Sequence, residues 1–95
     1  MKGIVTEYEN ICIICGRAAE AEHHLIFGTA GRNLSEKYGL KVPICNGCHT
    51  MKEKCRRIHD NPMAEKLSKM LGQAIFEAKV GSRDDFRKIF GRSYL

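Results

Sequence analysis

Hydrophobic positions change their spacing midway along the chain. From Pro62 onward, Met63, Leu67, Met70, Leu71, Ala74, Ile75 and Ala78 recur every three or four residues. That period predicts an amphipathic helix of about 17 residues. Asn61 followed by Pro62 is a helix start, a cap residue and then a proline at the first helical position. Gly81 ends that helix. Ser82 with Asp85 is a capping-box pattern for a last short helix that carries Phe86, Ile89 and Phe90 on one face and closes at Gly91. These stripes read as core, covering the rest of the chain or pairing with a second subunit.

Upstream the pattern shortens. EAEHHLIFGT, residues 20–29, predicts a short strand, and LKVPI, residues 40–44, predicts another, which Pro43 restricts to a hairpin edge. Between them, GTAGRN, residues 28–33, reads as a turn punctuated by Gly28, Gly31 and Asn33. It also has the look of a glycine-rich phosphate loop, but without the Gly-Lys-Ser/Thr ending. Ser35 to Tyr38 reads as one helical turn stopped by Gly39, and HTMKEKCRRIH, residues 49–59, as a helix. Residues 1–11 form a loose lead-in with at most one short strand.

The chain has 95 residues, enough for one domain. A core of that size is marginal, and small folds often add a metal or a partner. No apolar run approaches the roughly 18 residues of a membrane span, so no membrane association is expected. The start MKGIVTEYEN lacks a long apolar stretch, so no signal peptide is read and the expected location is cytoplasmic.

Five cysteines change the picture. Four form two C-x-x-C pairs, Cys12 with Cys15 and Cys45 with Cys48, and 29 residues separate the pairs. Four thiolates in two knuckles suit tetrahedral zinc. A disulfide framework would need an oxidising compartment, and a thioredoxin-like site needs one pair rather than two. A zinc held by four cysteines is coordinatively closed, so it holds the fold and does no chemistry. Cys55 is left over as a free thiol.

The net charge is +5. Residues 1–30 carry −2, residues 31–59 carry +5 and residues 60–95 carry +2. The basic excess therefore sits around the second knuckle, where Arg32, Lys52, Lys54, Arg56 and Arg57 are candidates for contacts to an acidic partner such as DNA, or else an ordinary solvated surface. All four histidines, His23, His24, His49 and His59, also fall within residues 23–59. The knuckles enclose His23 and His24, and His49 directly follows Cys48. One zinc would therefore draw the three together.

A knuckle, then a His-His pair on a strand, then C-x-x-C-H opening a helix: this order resembles the zinc-stapled HNH endonucleases. The resemblance covers residues 12–59. LSEKYGLKVPIC and IFGRSYL extend the likeness to small phage- or prophage-encoded members. It implies an α+β chain with a ββα-metal core over 12–59 and a helical extension over 62–95. It implies a metal-dependent DNA endonuclease in the bacterial host cytoplasm. His24 matches the general base. His23 and His49 match ligands of one catalytic divalent cation, Mg²⁺, Mn²⁺, Ni²⁺ or Zn²⁺. His59 is extra to the motif, either a third ligand or a helix cap. The family's motif Asn falls near Leu40 here, which leaves a backbone carbonyl, Asn33 or Asn46 to orient His24. Two other readings stand beside it: a non-catalytic zinc module that binds nucleic acid, and a nuclease that works with a phage packaging or recombination protein. The amphipathic C-terminal helices also allow a homodimer.

Overall fold

The computed structural model describes residues 3–51 and 58–95. Lys52, Lys54, Cys55, Arg56 and Arg57 lie outside the described residues, as does the middle of the helix expected over 49–59. The elements run β1 (Ala21–His24), α1 (Thr29–Tyr38), β2 (Lys41–Ile44), α2 (Pro62–Lys79) and α3 (Arg83–Phe90). Gly47–Met51 forms a wide helical turn before the undescribed stretch, and Ile58–Asp60 a tight one after it. The chain is α+β.

The two strands pair antiparallel, with Ala21 opposite Ile44, His23 opposite Val42 and His24 opposite Lys41. A ribbon of four-residue strands is marginal alone, and neighbouring elements brace it. The first knuckle ties on through the Ile13 N–H, which donates to the Pro43 carbonyl at 3.0 Å. At the far end, Ser35 of α1 accepts from the Ile26 N–H at 3.1 Å and donates to the Ile26 carbonyl at 2.7 Å.

Among the described residues, two core clusters result. One gathers Cys12, Ile44, Cys45 and Cys48 at the knuckles. The other packs Ile26, Leu40, Phe76 and Phe86, with Tyr38, Ile89, Phe90 and Tyr94 against them.

The termini of the C-terminal helices follow the sequence closely. Asn61 accepts from the Met63 and Ala64 N–H groups and caps α2. Ser82 and Asp85 form a reciprocal capping box on α3, and Gly91 closes it in the left-handed region. Removing such a cap typically costs about 1 kcal/mol.

Two expectations fail. Residues 28–33 are not a turn: the helix starts at Thr29 and runs to Tyr38, ending where expected at left-handed Gly39. Gly31 is small there for packing, since a Cβ would lie 3.0 Å from the Ile26 carbonyl oxygen. The second failure is the face of α2. Met63, Leu67 and Leu71 are exposed, and the buried residues are Ser68, Gly72, Gln73 and Phe76. Small side chains let the helix sit directly against the end of β1: a Cβ on Gly72 would meet Ile26 Cδ1 at 2.7 Å and Leu25 Cβ at 3.0 Å.

Gly72→Ala should therefore destabilise the protein, by about 1–3 kcal/mol from overpacking, despite alanine's better helix propensity. Urea denaturation measures this. An unchanged or raised midpoint would contradict the close approach.

Candidate metal centres

The first centre is built from two turns. In the first, the Gly16 N–H donates to the Cys12 carbonyl and the Cys12 N–H to the Arg17 carbonyl, with Gly16 at φ 78°. In the second, Cys45 follows β2 directly and its sulfur accepts from the Cys48 N–H at 3.4 Å. The hairpin brings these turns together. One sulfur of each of Cys12, Cys15, Cys45 and Cys48 lies within 4.8 Å of the others, and Cys15 Sγ is 3.6 Å from Cys45 Sγ. A disulfide needs about 2.05 Å, whereas sulfurs around tetrahedral zinc stand about 3.8 Å apart at ordinary Zn–S lengths. Burial pushes the Cys12 thiol up, but hydrogen bonds from the backbone of Cys15, Cys45 and Ile14 outweigh it and bring the pKa to about 6. The Cys48 backbone N–H likewise lowers Cys45. The four cysteines could hold a structural metal ion such as zinc.

The second centre uses three imidazoles. His23 points inward from β1 and is fully buried. His49 comes from the turn that delivers Cys48, its N–H donating to the Cys45 carbonyl at 3.1 Å. His59 comes from the tight turn before α2. One ring nitrogen of each lies within 4.8 Å of the others, and His49 Nε2 is 2.8 Å from His59 Nε2. His23 Nε2 is 2.8 Å from Ser68 Oγ, while its Nδ1 is buried with no hydrogen-bond partner among the described residues. Burial, with the neighbouring His59, His49 and His24, holds the His23 pKa down at about 3. Burial is also the main cause lowering His49 and His59. All three are therefore neutral near pH 7, with lone pairs available. An orphaned nitrogen beside two neutral imidazoles fits a divalent metal that accepts nitrogen donors. Such a trio leaves coordination positions open, unlike the cysteines.

A cleft of about 690 Å³ opens over this cluster, lined by Glu22, His24, Phe27, Gly28, Arg32, Asn33, His49 and His59. His23 and His24 thus divide as neighbours on a strand must: one goes into the packed interior, the other into the cleft. The structure brings His23, His24, His49 and His59 together, and it places exposed Arg32 at the rim. It does not bring an asparagine to the motif position, because Leu40 is buried and its carbonyl accepts the Leu25 N–H. Asn46 lies away from the cleft lining, with its backbone N–H on Glu20. Asn33 lines the cleft together with His24, and Glu36 Oε1 of α1 stands 3.8 Å from His24 Nε2. Glu36 is also paired at 2.7 Å with Lys41, which reaches Glu22 at 3.0 Å. His59 joins the cluster, and Asn61 does the capping of α2.

Glu36 and Ser68 escaped the sequence reading. Glu36 belonged to a stretch read as a single helical turn, and Ser68 sat off the apolar stripe. Comparison with protein families, curated proteins and solved structures found no match for the chain.

Purified protein should carry one tightly held zinc per chain by elemental analysis. A strong chelator, or Cys45→Ala, should move the thermal unfolding transition far down or abolish it, because structural zinc contributes folding energy outright. A zinc-free protein with unchanged melting would rule the cysteine centre out.

Proposed function

We propose that the chain is a metal-dependent DNA endonuclease that hydrolyses phosphodiester bonds by an HNH-type mechanism. The observation that carries this reading is the buried Nδ1 of His23, without a hydrogen-bond partner among the described residues, on a ring whose centroid lies 5.3 Å from that of His49 and 4.9 Å from that of His59, with His24 on the adjoining cleft wall. Metal ligands and a free base beside one open cleft are what a one-metal hydrolase needs.

In this reading His23, His49 and His59 hold one divalent cation. When bound, that cation supplies Lewis-acid stabilisation of charge developing at the phosphate and the leaving 3′-oxygen. His24 takes the proton from the attacking water, with the Glu36 carboxylate 3.8 Å from its Nε2. Arg32, at the rim, contacts a phosphate and positions the strand without reading its sequence. The all-imidazole ligand set favours Ni²⁺, Zn²⁺ or Mn²⁺ over Mg²⁺, which prefers oxygen donors.

A second reading has one observation in its favour. Buried Leu40 stands where the family's motif Asn is expected, which suits a zinc module that binds nucleic acid without cutting it. Plasmid relaxation separates the two. The nuclease should nick supercoiled DNA with Ni²⁺ or Mn²⁺, less with Mg²⁺ and not with EDTA. His24→Ala should lower the rate about 10²–10⁴-fold and leave DNA retardation in a gel unchanged. Retardation with no nicking under any metal would favour the binding module, or a nuclease that needs a packaging or recombination partner.

A further inference from the structure

Ser68 sits on α2, outside the ββα core, yet it is buried against His23. Its Oγ lies 2.8 Å from the Leu25 carbonyl oxygen and 2.8 Å from His23 Nε2. A hydroxyl has one proton to give. The carbonyl oxygen can only accept, so the Ser68 O–H donates there. The Ser68 oxygen must then accept from His23, which places the imidazole proton on Nε2. A neutral imidazole carries one N–H, so Nδ1 is left bare. The opposite arrangement sets two acceptor oxygens against each other at 2.8 Å. It also buries an Nδ1–H with nothing among the described residues to receive it.

We infer that Ser68 is a positioning residue, relaying the Leu25 carbonyl onto His23 so that Nδ1 keeps a bare lone pair for a metal shared with His49 and His59. The inference rests on the reading that these three histidines hold a metal. Partners of this kind on the far nitrogen of a ligand histidine fix its tautomer and ring orientation. The device depends on the close approach of α2, since Gly72, one turn after Ser68, leaves no Cβ to wedge the helix away from Leu25 and Ile26. The helical extension therefore completes the metal site from behind as well as covering the core.

The tautomer can be read directly by long-range ¹H–¹⁵N correlation on the zinc-containing protein, labelled at histidine and dialysed free of loosely held metal. Wild-type His23 should show a single Nε2–H form at pH 7. An Nδ1–H form would overturn the inference without any variant being made. Ser68→Ala should lose this single form and bind Ni²⁺ about 10–100-fold more weakly by titration calorimetry. Ser68→Thr, which keeps the hydroxyl, should restore both. Unchanged tautomer and Ni²⁺ affinity in Ser68→Ala would also overturn it. His49→Ala serves as the control on the metal reading: it should weaken Ni²⁺ binding while His23 stays Nε2–H. Wild-type protein with the Nε2–H form but no Ni²⁺ binding would contradict the metal site and leave the hydrogen-bond relay standing.

Discussion

The pairing of Ala21–His24 with Lys41–Ile44 is the constraint on which both centres depend. Its register puts the end of β2 beside the first knuckle, so Cys45 emerges within reach of Cys15. The same register sends His23 inward and His24 outward. Slipping it by one residue would exchange them, because side chains alternate faces along a strand. So short a ribbon cannot hold its register alone. The cysteine centre clamps one end, and Ser35, bonded to both backbone groups of Ile26, pins the other.

The two centres are therefore mechanically linked. Cys48 and His49 are consecutive residues of one turn, and the His49 N–H is bonded to the Cys45 carbonyl. Two of the four sulfurs that could hold a metal flank that turn, and the same turn places an imidazole at the cleft. The buried Lys41, bonded to Glu22 and Glu36, adds a charged brace beside His24. Lys41 stays paired if either glutamate is lost, whereas loss of both would leave its buried ammonium uncompensated.

What was legible in the sequence was mostly local chemistry. The C-x-x-C spacing, the Asn61-Pro62 start, the Ser82–Asp85 box and the stops at Gly39 and Gly91 each depend on a few adjacent residues. The hairpin and the gathering of the histidines followed from the knuckle spacing. The misses share a physical cause. Gly31 and Gly72 serve close approach between elements, and a sequence shows only that they lack a side chain. Reading Gly31 as turn punctuation hid α1. Expecting the Met and Leu stripe inward put α2 on the wrong face, because its contact surface is made by Ser68, Gly72 and Gln73 together with Phe76. Ser68 faces the core because two backbone and side-chain partners 43 and 45 residues away await it. No local pattern encodes that.

X-ray absorption at the nickel edge, on zinc-loaded protein given one equivalent of Ni²⁺, tests the central claim most directly. Nickel should sit in a nitrogen and oxygen shell at about 2.0–2.1 Å with three imidazoles and no sulfur, while zinc keeps an all-sulfur shell at about 2.3 Å. Nickel among sulfurs, or nickel with no imidazole scattering, would contradict a second, histidine-built metal centre.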